Sequence, residues 1–142
     1  MTNKFTYNAR QVVSGAILSA KELGHTYVGS EHLLLGITGL PDCTAAKLLK
    51  SAGVESGSFR EQIISLAGRG TKTGGGEDMT PKCRKILMKA SRISHDAGED
   101  VIGSEHILQA LLTEECVAKR IIEMEGASPD GLSSILEGLY LP

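Results

Sequence analysis

The sequence predicts an all-α protein, an eight-helix bundle made of two four-helix repeats with approximate two-fold pseudosymmetry. Three observations predict it: a segment that recurs once along the chain, apolar residues spaced at helical intervals, and a composition poor in aromatic residues. Phe5-Thr6 returns as Met79-Thr80, a shift of 74 residues. At that shift Arg10 meets Arg84, Ala16 meets Ala90 and Gly24 meets Gly98. Gly29-Ser30-Glu31-His32-Leu33-Leu34 then meets Gly103-Ser104-Glu105-His106-Ile107-Leu108, with four consecutive identities. After one deletion Cys43 meets Cys116, Ala45 meets Ala118 and Gly53 meets Gly126. With no Trp, three Tyr and two Phe, the core must be aliphatic. Leu, Ile, Val, Ala and Met pack closely apposed helices better than a β-sandwich.

The first helix is expected over about Thr6 to Leu23, with Val12, Val13, Ala16, Ile17, Ala20 and Leu23 on one face. In its counterpart Thr80 is a plausible N-cap and Pro81 takes the first helical position, where a missing N–H costs nothing. That helix carries Ile86, Leu87, Ala90, Ile93 and Ala97, and Gly98 ends it as Gly24 ends the first. The second helices start at Ser30 and Ser104 and are almost wholly apolar, which puts them at the centre. Third helices span roughly Thr44–Ala52 and Val117–Glu125, each followed by Gly. Fourth helices begin at Ser58-Phe59-Arg60-Glu61, a capping box, and at Ser128-Pro129-Asp130. Strand-like alternation appears nowhere.

Residues 1–67 and 79–142 are thus two repeats of one compact domain, joined by a Gly-rich polar linker over 68–78. Lys72-Thr73 in that linker is similar to the end of a Walker phosphate-binding motif. The match fails, because Thr71 rather than Gly precedes Lys72 and no apolar strand leads in.

Charge and cysteines exclude several function classes. A net charge of −2, from 15 basic and 17 acidic residues, lacks the footprint of a nucleic-acid binder. No run of eighteen apolar residues suits a membrane span, and the first residues hold no signal-like apolar stretch. Cys43, Cys83 and Cys116 are odd in number, form no Cys-x-x-Cys pair and have no His at zinc-finger spacing. Buried, inert thiols in a reducing cytoplasm are the simplest reading.

Glu31 and Glu105 stand in the first turn of each central helix. One reading is structural: the carboxylate complements the helix dipole while Ser30 and Ser104 cap the helix. The sharper reading makes each carboxylate a receiver of a partner's cation at the mouth of a buried helix. His32 and His106 do not read as metal ligands, since adjacent Glu-His splits the two side chains by about 100° around a helix. Each His is expected to hydrogen-bond a neighbouring helix or the linker, while His25 and His95 read as surface residues. Neither a metal nor a cofactor is expected. Cys43 and Cys116 read as packing positions, and a capping Ser30 has its oxygen engaged, so no nucleophilic catalysis is expected. An enzymatic use of Glu31/His32 and Glu105/His106 as acid–base pairs is the rival view.

The Phe-Thr opening, the long helix ending in Gly-His, Gly29-Ser30-Glu31-His32-Leu33-Leu34-Leu35-Gly36, and Met79-Thr80-Pro81 with Gly103-Ser104-Glu105-His106-Ile107-Leu108 together resemble the Clp N-terminal repeat family. The resemblance covers nearly the whole chain and fits the ClpC type, which keeps the Gly-Ser/Thr-Glu-His element in both halves. It implies a non-enzymatic domain on a hexameric AAA+ unfoldase, receiving adaptor proteins and unfolded substrates for an ATP-driven pore. It further implies phosphoarginine as a ligand, with Glu31 and Glu105 taking the guanidinium. Thr6 and Thr80 would then take the phosphate, supported by Ser30, His32, Ser104 and His106. Plain N-capping is the alternative role of the two threonines. This chain carries no Walker motif of its own. It is therefore either one domain of a longer unfoldase, monomeric when isolated, or a free-standing Clp-repeat adaptor or decoy. Its loops Thr38-Gly39-Leu40-Pro41-Asp42 and Thr113-Glu114-Glu115 differ from the Arg-Glu-Gly-Glu-Gly pattern usual in the family.

Overall fold

A computed structural model describes residues 4–54, 56–67 and 78–140. Eight helices follow in chain order: α1 (Tyr7–Glu22), α2 (Ser30–Thr38), α3 (Thr44–Ser51), α4 (Ser56–Ala67), α5 (Pro81–Asp96), α6 (Ser104–Thr113), α7 (Val117–Met124) and α8 (Pro129–Tyr140). The helices fall where the apolar spacing puts them, four before and four after the segment expected to link the repeats. Of that linker, expected over 68–78, residues 68–77 lie outside the described residues. One boundary differs. Helix α4 begins at Ser56, so Ser58 lies within it and is not its N-cap.

The predicted caps form at the paired long helices. Thr6 Oγ1 accepts the Ala9 N–H at 3.1 Å, and Thr80 Oγ1 accepts the Cys83 N–H at 3.0 Å. Gly24 and Gly98 end α1 and α5 with φ of 73° and 78°, a left-handed conformation that a Cβ disfavours. Helices α2 and α6 lie at the centre. Leu33, Leu34, Ile37, Ile107, Leu108 and Leu111 are all inaccessible to solvent. Each fully buried aliphatic side chain of this size contributes about 1.5–3 kcal/mol.

The first half is packed more tightly than the second at one point. A Cβ on Gly36 would collide with the Val12 carbonyl oxygen and lie 3.1 Å from the Ala16 amide nitrogen. Gly15 faces the same spot, its own Cβ position 3.3 Å from Gly36 Cα. Helices α1 and α2 therefore cross backbone to backbone. At the equivalent position of the second half stands Ala110, fully buried, so α5 and α6 accommodate a methyl group.

The two halves are joined by short exchanged segments that alternation could not reveal, because each is only one or two residues long. Strand β1 (Lys4–Phe5) runs parallel to β2 (Val101–Ile102), pairing Lys4 with Val101 and Phe5 with Ile102. Its repeat image is an isolated parallel bridge between Val28 and Met79. The flanking hydrogen bonds correspond as well: Thr6 N–H to Ile102 O and Thr80 N–H to Val28 O, both 2.9 Å. Each half thus lends its first residues to the other.

Ser30 and Ser104 depart from expectation in an informative way. Neither caps its own helix; the N-cap residues of α2 and α6 are Gly29 and Gly103. Instead Ser30 Oγ accepts the Ala118 N–H at 3.1 Å, and Ser104 Oγ accepts the Ala45 N–H at 3.3 Å. Ala45 and Ala118 sit in the first turns of α3 and α7, whose own N-cap residues Cys43 and Cys116 supply no side-chain bond. The serine of one half caps the third helix of the other.

Two stability predictions result. Gly36→Ala should destabilise the domain by about 1–3 kcal/mol through overpacking, seen as a lower midpoint in urea denaturation. A Ser30→Ala/Ser104→Ala variant leaves two buried amides unpaired and should lose about 2–4 kcal/mol in the same measurement, each single variant losing about half.

Candidate functional site

The exchanged segments decide which residues meet. Because Thr80 follows the bridge to Val28, it is delivered to Gly29-Ser30-Glu31 of the other half. Thr6, following β1, is delivered to the loop leading into Gly103-Ser104-Glu105. Each candidate pair is therefore formed across the repeats, Glu31 with Thr80 and Glu105 with Thr6. The pairing is a property of the fold, since each residue's nearer neighbour in sequence belongs to the other pair.

A cleft of about 610 Å³ opens over the first pair, and Glu31, Thr80, Lys82 and Arg120 line it together with Tyr27 and Val117. Glu31 lies at the start of α2, Thr80 and Lys82 at the start of α5, and Arg120 on α7. The Arg120 guanidinium has no ion-pair partner among the described residues. Lys82 Nζ lies 3.3 Å from Glu114 Oε1, which is not part of the cleft lining. The cleft thus brings together two carboxylates, Glu31 and Glu115, two cations, Lys82 and Arg120, and the N-terminus of α5.

The carboxylates are less open than the sequence suggests. Glu31 is only 4% exposed, whereas Glu105 is half-buried. In each case the side chain folds back over the preceding glycine: a Cβ on Gly29 or Gly103 would collide with the Glu31 or Glu105 carboxylate. Any larger residue two positions before each Glu would push the carboxylate out of this folded-back position. The Tyr27 hydroxyl donates to Glu31 Oε2 at 3.4 Å, and burial, then the Glu31 charge, raises its pKa. The hydroxyls of Thr6 and Thr80 cap their helices, yet accepting one bond leaves each O–H proton free to donate outward.

His32 and His106 are N3 capping residues, a role the sequence reading missed. The Gly29 N–H donates to His32 Nδ1 at 2.9 Å, and the Gly103 N–H donates to His106 Nδ1 at 2.8 Å. These bonds make Nδ1 the acceptor, so Nε2 carries the proton. His106 Nε2 then donates to Glu99 Oε2 at 2.7 Å, and His32 Nε2 donates to His25 Nδ1 at 2.8 Å. The partners lie in the preceding loop rather than on a neighbouring helix. His25 is consequently no surface residue; it is 5% exposed and stacked on Tyr27, with ring centroids 5.4 Å apart. His95 is exposed, as expected. A Gly-x-x-His spacing, read as a capping box with His in place of Glu, would have identified the role from sequence.

Cys43, Cys83 and Cys116 are all buried free thiols. Burial pushes Cys83 up to about 12 and also raises Cys116, so neither holds a reactive thiolate near neutral pH. Among the described residues no cluster of three or more His, Cys, Asp or Glu is arranged to hold a metal, and no helix is long and apolar enough to cross a membrane.

Burial, followed by the nearby His25, lowers the His32 pKa from 6.5 to about 4. The unfolded chain therefore binds more protons between these values, and folding stability rises with pH there. His32's contribution is complete above its ordinary value and is lost as pH falls through about 4, an effect of about 3 kcal/mol. A His32→Gln variant keeps a capping group and loses the titration. Between neutral pH and pH about 4 its urea midpoint should fall less than that of the wild type, by a margin of this order.

The Clp repeat (R) N-terminal domain family model matches residues 4–125 and again 78–139. The chloroplastic chaperone protein ClpC1 of Oryza sativa subsp. japonica is 37% identical over 134 residues, covering 93% of this chain and 15% of that protein. The chloroplastic chaperone protein ClpC of Pisum sativum is also 37% identical over 134 residues, covering 93% of this chain and 14% of its own length. The chain thus spans about one-seventh of the length of the curated relatives it matches. The N-terminal domain of the chaperone ClpD from Arabidopsis thaliana superposes with a TM-score of 0.81 at 23% identity, covering 97% of this chain and 98% of that one. The Hsp104 N-terminal domain from Candida albicans gives 0.77 at 23% identity, covering 96% and 91%. Those two likenesses concern the fold alone; the repeated motif, the family match and the ClpC identities together show that this chain belongs to the Clp repeat N-terminal domain family, with ClpC-type chaperones among its relatives.

Proposed function

We propose that this chain is a receiving domain for protein partners of an ATP-dependent Clp unfoldase, and that it takes phosphoarginine-marked proteins at Glu31/Thr80 and Glu105/Thr6. Repeats 1–67 and 79–142 work as one unit in this reading, because each binding pair draws on both. The observation that carries it is the charge layout of the cleft. Phosphoarginine has a guanidinium that seeks a carboxylate and a phosphoryl group that seeks cations, hydroxyls and helix N-terminal amides. Glu31 supplies the first need. Thr80, Lys82, Arg120 and the start of α5 supply the second. A plain adaptor surface would not need both chemistries within one cleft.

The two pairs are unequal. At the positions matching Lys82 and Arg120 the second site has Asn8 and Lys47, one formal charge fewer. Glu105, however, is the more exposed carboxylate. Adaptors and unfolded substrates belong to the same reading as protein partners of the domain, in the cytoplasm or an equivalent reducing compartment.

Isothermal titration calorimetry with free phosphoarginine tests the proposal. Wild-type protein should release or absorb heat on binding, and Glu31→Ala/Glu105→Ala should lose it. Each lost charge-assisted contact should weaken its own site by roughly tenfold or more. A silent wild type, or a double variant that binds as well as the wild type while melting normally, would overturn the reading.

A further inference from the structure

The duplication allows a comparison of two equivalent grooves, one on each long helix. On the first half Gln11, Ser14, Gly15 and Leu18 of α1 form a groove with Leu40 at its edge. On the second half the matching residues, 74 positions on, are Lys85, Met88, Lys89 and Arg92 of α5, with Arg84 beside them and Glu114 at the edge. A neutral groove of about 340 Å³ thus has a basic twin of about 440 Å³. The chain as a whole carries a net charge of −2, so the basic groove stands out against an acidic remainder.

Burial cannot account for the difference. Arg84, Lys85 and Arg92 are exposed, and Met88 is 70% exposed in their midst. Lys82, Lys85 and Lys89 converge on one carboxylate, Glu114, at 3.3, 3.5 and 3.1 Å. Three cations share one anion, while Arg84 and Arg92 have no ion-pair partner among the described residues. Such a cluster is self-repelling unless an anion from elsewhere completes it.

We infer that the α5 groove docks an acidic segment of a protein partner, a site separate from the phosphoarginine cleft. Arg84 and Arg92 are about 12 Å apart along the helix, the reach of about four extended residues. The exposed Met88 and the lysine stems offer an apolar floor on which a peptide side chain can lie. Nucleic acid fits less well: no aromatic ring lines the groove to stack on bases, and Glu114 would face its phosphates.

The test uses fluorescence anisotropy with a fluorescein-labelled Glu-Glu-Glu-Leu-Glu-Glu-Glu peptide. Wild-type protein should bind it, and less tightly as salt rises toward about 0.3 M. The exposed triple variant Arg84→Gln/Lys85→Gln/Arg92→Gln should bind about tenfold more weakly with an unchanged melting curve. Its affinity for phosphoarginine should stay as in the wild type, which separates this site from the cleft. Should the triple variant melt early, Arg92→Gln alone decides the matter by weakening the peptide measurably. Absence of peptide binding by the wild type, equal binding by the folded variants, or tighter binding of an oligothymidylate of the same charge would overturn the inference.

Discussion

The reciprocal capping by Ser30 and Ser104 is the constraint on which the rest of this structure depends. Each third helix begins at a cysteine that offers its first turn no side-chain acceptor. The acceptor comes from the other half, through a serine at the first position of a central helix. Because both partners are buried, water cannot substitute, and losing either serine in the assembled fold would leave a buried amide unpaired. The exchanged backbone pairs act in the same direction. Lys4–Phe5 joins Val101–Ile102, and Met79 joins Val28. Two repeats that began as copies are therefore no longer separable parts, and any surface formed where they meet is a property of the pair.

Gly-Ser-Glu-His is a compact solution to this arrangement, with a different task for each residue. The glycine leaves room for a carboxylate folded over its α-carbon. The serine reaches across to cap the other half. The histidine accepts the glycine's own amide, which requires a neutral ring with its proton on Nε2. Only the glutamate is left with oxygens free of backbone duty, and Glu31 borders the cleft beside Gly29 and Ser30. Identical motifs in both halves thus reflect one structural problem solved twice, with the two glutamates in unequal surroundings.

Around this shared frame the copies have diverged in charge. His25 in the first half corresponds to Glu99 in the second, so one capping histidine meets a neutral ring and the other a carboxylate. Lys82 and Arg120 correspond to Asn8 and Lys47. Gly36 corresponds to Ala110, and Leu18 to Arg92. Differences of this kind leave the backbone in place, because most lie on exposed positions or exchange one small residue for another. They change the charge that each half presents to solvent. A duplicated scaffold with unequal electrostatics offers several surfaces of distinct chemistry within a single small domain.

Helix number, order and the central place of α2 and α6 were legible in the sequence, because apolar spacing and glycine stops are local signals. The threonine caps and the inert cysteines were legible for the same reason. The single-turn error at Ser58 arose where Ser56 and Ser58 both resemble a helix start. His25 read as a surface residue because the partner that buries it, His32, lies seven positions away in a loop-to-helix contact that no period encodes. By itself the sequence determined that two similar helical units exist and that each bears a Glu beside a His. Tertiary structure alone decided that Glu31 belongs with Thr80 and Glu105 with Thr6, and that the serines cap across the halves. Those pairings join residues about fifty to one hundred positions apart, where geometry rather than local propensity selects the partner.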